Sequence, residues 1–186
     1  MIPKACCAHH SALPTRRFVM AGLACTAFAP GAFAAAAQPV AKGDERFMRI
    51  AIEEARRADF PFGAVIVKDG RILSRGRNLG RTQRDPTAHG EMVAIRRAVL
   101  AFGGGILKGA TLYTSGEPCA MCMGAILWCH FGRLVFAASI DQLATVIDQI
   151  MITAADLAAR AKFAPIEITG GVMADEAMAL FKKKPG

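Results

Sequence analysis

The chain has 186 residues, of which 53% are hydrophobic and 20% are charged. This composition suits one globular domain with a sizeable core and excludes an intrinsically disordered protein. The net charge is +8, but three basic residues and no acidic one precede residue 38, so the remainder, with 20 basic and 15 acidic residues, carries +5. A domain this mildly basic can meet anionic partners, but its charge alone does not indicate nucleic-acid binding.

The first 37 residues have the pattern of an export signal. An arginine pair at positions 16 and 17 precedes a mildly apolar stretch over 18–29, and the A-F-A at 32–34 is a typical cleavage site. The arginine pair favours the twin-arginine route to the periplasm, and the apolar stretch is too short to leave a membrane span in the mature protein. The alternative is an Ala-rich leader before a mis-set start codon, which would leave the protein cytoplasmic.

The remainder alternates between helical and strand patterns, in chain order. The spacing predicts a helix over 44–58 capped by Asp44, and "FGAVIVKDGRILSRG" predicts a hairpin turning at Asp69-Gly70. A polar loop over 78–86 and a helix over 89–102 follow. Further on, the pattern predicts strands over 111–114, 134–138 and 166–169, and helices over 117–129, 141–161 (weakly) and 174–182. Such alternation is typical of a layered α/β domain.

Two cysteines stand in "TSGEPCAMCMG", residues 114–124. Cys6, Cys7 and Cys25 would leave with the leader, and the odd number that remains is a poor disulfide framework. A C-x-x-C pair at the start of a helix suits either a redox dithiol or a metal site, because the helix N-terminus favours thiolates. Cys119 and Cys122 alone do not decide between these two interpretations.

The upstream stretch "DPTAHGEMVAI" carries His89 and Glu91. One histidine and two cysteines supply three zinc ligands, and three ligands leave the fourth position open for water, which is typical of catalytic zinc. Glu91 follows the histidine by two residues and is suited to moving protons without ligating the metal. The set His89, Cys119 and Cys122 therefore predicts a catalytic zinc site.

The pairing of H-x-E with P-C-x-x-C resembles the cytidine/deoxycytidylate deaminase superfamily. The stretches "FPFGAVIVKDGRIL", "DPTAHGEMVAIRRA" and "TLYTSGEPCAMCMGAILW" carry the resemblance over about residues 44–138. It implies a cytidine-deaminase-like three-layer α/β/α fold with a five-stranded mixed sheet, a domain over 44–184, and a homodimer. It also implies zinc on His89, Cys119 and Cys122, Glu91 as proton shuttle, and hydrolytic release of ammonia from a nucleobase or nucleoside.

The resemblance extends to substrate contacts. Asn78 corresponds to an asparagine that hydrogen-bonds the ring edge in nucleobase deaminases, with a turn residue as the alternative. Phe62 and the backbone near Ala64 would lie under the base, although Phe62 could equally belong to the core. Trp128 resembles an aromatic residue that closes the purine pocket of bacterial guanine deaminases, or it packs at a subunit interface. Asp148 is the nearest match to their purine-selecting acidic residue.

These features favour guanine or a related aminopurine as the substrate. The chain departs from guanine deaminases at its end, "MALFKKKPG", where Phe181 is the nearby aromatic residue. A cytosine- or cytidine-type substrate is the alternative. The segments "GRLVFAA" and "IEITGGVMADEAMALF" instead resemble bacterial tRNA adenosine deaminases, but an exported enzyme meets no tRNA, which favours a small molecule over nucleic acid. The non-enzyme alternative is an exported zinc-binding module.

Overall fold

The computed structural model describes residues 39–182, which form a five-stranded mixed sheet with helices on both faces. The strand order is β2-β1-β3-β4-β5. The first pairs, β1 with β2 and β1 with β3, are antiparallel, and the pairs β3 with β4 and β4 with β5 are parallel. The strands are β1 Gly63–Lys68, β2 Arg71–Arg77, β3 Thr111–Gly116, β4 Arg133–Ala138 and β5 Glu167–Thr169. The predicted five-stranded mixed sheet is confirmed.

The helices of the described residues flank this sheet and agree with most of the predicted positions. They are α1 Asp44–Arg56, α2 Gly80–Gln83, α3 Gly90–Phe102, α4 Ala120–Trp128, α5 Ile140–Ala144, α6 Ala154–Arg160 and α7 Ala174–Lys182. Two predictions differ from the structure: the loop over 78–86 contains the short α2, and the weakly helical stretch over 141–161 is two short helices separated by residues 145–153. No helix within 39–182 is long and apolar enough to cross a membrane.

Successive side chains of the central strands enter two different core clusters, one on each face of the sheet, and this explains the three layers. In β1, Ala64 and Ile66 face the core cluster that includes α3 and α4, whereas Val65 and Val67 face the cluster that includes α1 and α7. Successive strand residues point to opposite faces, so a strand buried on both sides needs an almost continuous apolar sequence. β1 and β4 meet this requirement, because all but their outermost residues are buried.

The predicted hairpin turn is confirmed between β1 and β2. Asp69 and Gly70 both adopt positive φ, at 50° and 72°, which is the conformation that a two-residue turn of the Asp-Gly type needs to match strand twist. Lys68 pairs with Arg71 across this turn, and the register shifts once, between Ile66 and Val67.

The predicted cap of α1 is corrected by the structure. Gly43 is the capping residue, and Asp44 is the first helical residue, with its carboxylate 2% exposed. Arg133 donates to both carboxylate oxygens, at 2.7 and 2.8 Å, and Tyr113 donates to one of them at 3.0 Å. Burial opposes ionisation of Asp44, but these hydrogen bonds outweigh it and lower its pKa. Asp44 therefore ties the start of α1 to β3 and β4 rather than capping its own helix.

The predicted export signal over 1–37 lies outside the described residues, as do the cysteines within it and the last residues of the lysine tail.

Candidate active site

The candidate metal ligands lie at the starts of two helices. His89 and Cys119 are the residues immediately before α3 and α4, and both have extended backbone, with φ and ψ of −66° and 159° and of −60° and 166°. Cys122 lies in the first turn of α4. A helix N-terminus presents unpaired N–H groups and a partial positive charge, which favours thiolate over thiol. Both helices thus deliver donor atoms to one point.

The three side chains meet in the geometry that zinc requires. His89 Nδ1 lies 3.6 Å from the Sγ atoms of both Cys119 and Cys122, and the donor atoms all lie within 4.8 Å of one another. Zinc bonds of about 2.3 Å to sulfur and 2.0–2.1 Å to nitrogen at tetrahedral angles separate nitrogen from sulfur by about 3.6 Å. The donor set therefore fits a tetrahedral zinc ion. Within residues 39–182, no other cluster of three such side chains converges.

Neighbouring groups shift the pKa values of the two cysteine thiols in opposite directions. The hydrogen bond from Cys122 lowers the pKa of Cys119 to about 4, against the opposing effect of burial and with further help from His89. The same hydrogen bond, together with burial, raises the pKa of Cys122. The hydrogen bond with Cys119 also raises the pKa of His89. A cation bound by both sulfurs would displace their thiol protons, since metal ligands bind deprotonated.

Glu91 lies in the first turn of α3 and is 4% exposed. Its Oε1 accepts a hydrogen bond of 3.3 Å from Oγ1 of Thr114 in β3, which leaves Oε2 outside that bond. Burial raises the pKa of this carboxyl group, and the negative charge of Cys119 adds to the effect. The site therefore holds a buried carboxylic acid beside the metal ligands, in surroundings that make it easier to protonate.

A close contact between backbones places α3 on the sheet. A Cβ atom on Gly76 in β2 would overlap the carbonyl oxygen of Gly90 and the N–H of Ala94. Only a residue without a side chain lets β2 approach the first turn of α3 this closely. Gly76 therefore supports the position of His89 and Glu91, the residues on either side of Gly90.

An open cavity of about 550 Å³ lies over the metal ligands. Its polar lining includes the predicted contacts Asn78 and Asp148 together with His89 and Cys119, and its apolar lining includes Phe62. The full set of lining residues is Phe60, Phe62, Asn78, Pro86, His89, Cys119, Met121, Ile147, Asp148, Gln149 and Ile150. Two of the three metal ligands, His89 and Cys119, thus form part of the wall of a cavity large enough for a flat heterocycle.

The model of the cytidine and deoxycytidylate deaminase zinc-binding region matches residues 41–138, which is more than half of the chain. The chain belongs to this family. Zinc is therefore its metal cofactor, and the donor geometry of His89, Cys119 and Cys122 fits that ion.

Members of the deaminase family with different substrates are similar to this chain. A guanine deaminase of Bacillus subtilis is 53% identical over 78 residues, covering 42% of this chain and 50% of its own length. A tRNA-specific adenosine deaminase of Aquifex aeolicus is 40% identical over 100 residues, covering 52% of this chain and 66% of its own. The chain thus spans between half and about two thirds of these two relatives.

The similarity to a solved structure covers more of the chain than the residues matched by the family model. A solved structure of a protein in complex with 2,6-diaminopurine has a TM-score of 0.65 to this chain, with 28% sequence identity, and covers 78% of this chain and 82% of that one. The three-layer architecture and mixed sheet agree with this neighbour, which confirms the fold that the deaminase resemblance implies.

Not every predicted substrate contact reaches the cavity. Asn78 forms part of its wall and also makes a turn, because its Oδ1 accepts from the N–H of Gly80 at 3.1 Å. Ala64 is fully buried in β1, and Trp128 is 73% exposed at the end of α4, where its ring lies 4.7 Å from that of Phe163. Neither residue lines the cavity, so their contact with a substrate stays a prediction that the geometry of this chain does not favour.

Two features of the deaminase site were missed by sequence reasoning. The sequence pattern predicts Glu117 only as the first residue of a helix, yet the residue is 7% exposed and its carboxylate accepts hydrogen bonds from the N–H groups of Ile140 and Ala154. The cavity wall at Ile147, Gln149 and Ile150 also went unpredicted. The "EPC" triplet was the available signal for Glu117, whereas the wall residues lie in irregular backbone whose position depends on contacts that no local pattern encodes.

Proposed function

We propose that this chain is a zinc-dependent hydrolytic deaminase of a nucleobase or nucleoside, most specifically of guanine or a related aminopurine. The observation that carries the proposal is the convergence of one nitrogen with two sulfur donors, each 3.6 Å from the nitrogen, at a cavity lined by His89 and Cys119 and beside a buried glutamate. This arrangement leaves room for water and a flat substrate at the metal.

Each residue has a defined role in this proposal. His89, Cys119 and Cys122 hold the zinc ion, which supplies the Lewis-acid chemistry that makes water a nucleophile at neutral pH. Glu91 accepts a proton from the attacking water at the carboxylate oxygen that Thr114 leaves free. Glu91 then returns protons to the ring nitrogen and the departing amine, so that water and the amino compound become a ring carbonyl and ammonia.

The cavity lining supports a purine substrate. Phe60 and Phe62 offer aromatic surface to a flat ring, and the rings lie 5.7 Å apart. Since the Oδ1 of Asn78 is occupied by Gly80, its amide N–H groups are the ones available to a ring acceptor. Asp148 offers an acceptor to ring or amino N–H groups. Guanine carries both kinds of group on its edges, and the identity to a guanine deaminase supports this choice.

Ammonia release from guanine, cytosine, adenine, cytidine and guanosine tests the proposal, with zinc content measured in parallel. We expect the highest kcat/KM for guanine. Preference for cytosine or cytidine would overturn the purine assignment and leave the deaminase assignment intact. Bound zinc without ammonia from any substrate, tRNA included, would overturn the enzyme assignment and favour a zinc-binding module.

A tRNA adenosine substrate is the second candidate. Arg81 and Arg84 are exposed on and beside α2, close in sequence to the cavity residues Asn78 and Pro86. Cations at a cavity rim can hold phosphates while a base enters the site, and a tRNA-specific relative is 40% identical. Replacing both arginines with alanine discriminates the candidates: a loss of activity confined to tRNA would favour the second, whereas guanine turnover should not change.

Assembly and location complete the proposal. We propose a homodimer that packs through an apolar face of α4 on which Met121 and Trp128 are exposed, because seven residues on a helix return to the same side. Light scattering of the wild type and of Trp128→Ser tests the proposed dimer, and a monomeric wild type would refute it.

We also propose that the protein is periplasmic and is exported by the twin-arginine route with its zinc already bound. A zinc-free Cys119–Cys122 disulfide in periplasmic protein would refute this order of events.

A further inference from the structure

The β3–α4 connection contains a buried carboxylate that the proposed reaction does not use. Glu117 lies two residues before the ligand Cys119, and its side chain is 7% exposed. In the part of the chain that the structure describes, no lysine or arginine forms an ion pair with it. A buried carboxylate without a cationic partner requires hydrogen-bond donors to offset its desolvation.

Backbone N–H groups of two different helices supply those donors. Ile140, the first residue of α5, donates to Oε2 of Glu117 at 2.8 Å, and Ala154, the first residue of α6, donates to Oε1 at 2.7 Å. The N–H of Glu117 itself donates to the carbonyl of Ala138 at the end of β4, at 2.7 Å. One side chain therefore joins the metal-site connection to the starts of both helices.

The segment between these two anchored positions forms one side of the cavity. We call residues 145–153 the wall segment; Ile147, Asp148, Gln149 and Ile150 within it line the cavity. Among the described residues, the hydrogen bonds of the wall segment run only to residues within 139–160. Partial burial of Ile147 against the core is its other attachment. Burial of Leu143 and Ala154 in the core fixes the flanking helices, and the bonds to Glu117 are the hydrogen bonds that join them to the metal-site connection.

Local capping does not explain these bonds. Ser139 and Thr153 already form capping boxes at α5 and α6, using the N–H groups of Gln142 and Asp156. Glu117 accepts from different N–H groups, those of Ile140 and Ala154, which lie 23 and 37 residues away in the sequence. Its bonds therefore set tertiary position rather than helix formation.

We propose that Glu117 is a positioning residue that holds the wall segment at the correct distance from the metal site and thereby sets substrate affinity. The inference rests on the proposed function for its kinetic consequence. Its structural consequence is independent of that function, because the two helix starts lose their hydrogen bonds to the β3–α4 connection whether or not a base is deaminated.

Amide hydrogen exchange of the full-length zinc-loaded chain tests the proposal, using Glu117→Gln. The amide side chain keeps the shape but turns an N–H₂ group toward one of the two backbone donors, so one end of the wall segment is released. Loss of a bond to a charged group predicts about tenfold or more faster exchange over 140–154. We expect zinc content and exchange in β1 and β3 to match the wild type. Asp141→Asn is the control, because it removes an exposed carboxylate from α5 and leaves Glu117 and both capping boxes in place.

Kinetics supply the second readout. In Glu117→Gln we expect KM to rise about tenfold while kcat stays within about threefold, because ground-state and transition-state contacts with the wall are lost together. Unchanged exchange over 140–154 would overturn the proposal, and so would faster exchange that includes β1 and β3, which marks general destabilisation. Unchanged KM would also overturn it. If no base is deaminated, the proposed function fails, and hydrogen exchange alone decides whether Glu117 positions the wall segment. If Glu117→Gln misfolds, Glu117→Asp repeats the test, because it keeps the charge but is too short to reach both helices.

Discussion

The metal site and the wall segment are built in opposite ways. The metal-site residues lie at the starts of two helices that pack on a central sheet: His89 and Cys119 immediately precede the helices, and Glu91 and Cys122 lie in their first turns. Their motifs are short and local. Residues 145–153 lie in irregular backbone between two short helices and are anchored from a distance by Glu117. The metal ligands are thus encoded by short local motifs, whereas one wall of the cavity belongs to a segment that supplies no metal ligand.

The largest effect should come from the metal side of this comparison. Replacing Glu91 with glutamine removes the proton carrier and keeps the size of the side chain, so we expect turnover to fall about 10³-fold with zinc content unchanged. Initial rates and metal analysis measure both. Glu53→Gln, on the exposed face of α1, is the matched control and should behave as the wild type. Substantial activity in Glu91→Gln would show that another group moves the protons.

The next largest effect should come from the contact between β2 and α3, which supports the metal motifs. A Cβ atom on Gly76 overlaps backbone atoms of α3, so we expect Gly76→Ala to lower the free energy of unfolding by about 3 kcal/mol. Urea titration measures this. Gly105→Ala is the control, since nothing lies within 4 Å of the added carbon. Equal stability of the two variants would contradict the close approach of β2 and α3.

The hydrogen bonds among Asp44, Tyr113 and Arg133 lie outside both the metal site and the wall segment. Replacing Asp44 should therefore change the stability of the fold and leave the catalytic rate unchanged. The pKa of Asp44 is lowered in the folded chain from its ordinary value of 3.8. Its contribution should therefore be complete above pH 3.8 and be lost as the pH falls through the lowered folded value. At pH 7 we expect Asp44→Asn to cost about 2 kcal/mol of unfolding free energy, because the hydrogen bonds from Arg133 lose their charged acceptor.

Unfolding titrations of wild type and Asp44→Asn at pH 7 and at successively lower pH measure this difference. It should shrink as the solution becomes acidic, while kcat/KM at pH 7 stays near the wild-type value. A difference that persists in acid would show that packing, and not the charge, stabilises this network.

The smallest effect should come from the wall segment. Asp148 lines the cavity but is exposed, so we expect Asp148→Asn to raise KM for guanine about tenfold and to leave kcat and zinc unchanged. Steady-state kinetics with guanine measure it, and Asp141→Asn, on α5 outside the cavity, is the control. A fall in kcat with constant KM would instead place Asp148 in the chemistry.

The same contrast decides what could be predicted from the sequence. The hairpin at Asp69-Gly70 and the helix after His89 were predictable, because turn residues and apolar spacing act over a few positions. The zinc ligands were predictable because H-x-E and C-x-x-C each occupy one helical turn. The division of 141–161 into two helices has a local signal, because Ser139 and Thr153 each form a capping box at a helix start. The contacts of Glu117 depend instead on hydrogen bonds across 23 and 37 residues, which leave no local pattern. Trp128 was assigned by resemblance, and its exposed position at the end of α4 is set by the packing of that helix.

The position of β2 at the edge of the sheet has a practical consequence. An edge strand presents unpaired backbone groups that can recruit a strand from another molecule, and charged side chains discourage such pairing. Arg71 and Arg75 are exposed on this strand. Neutralising them to probe nucleic-acid binding would therefore promote aggregation and imitate a loss of function. Arg81 and Arg84 lie outside the strand and are the safer residues for that experiment.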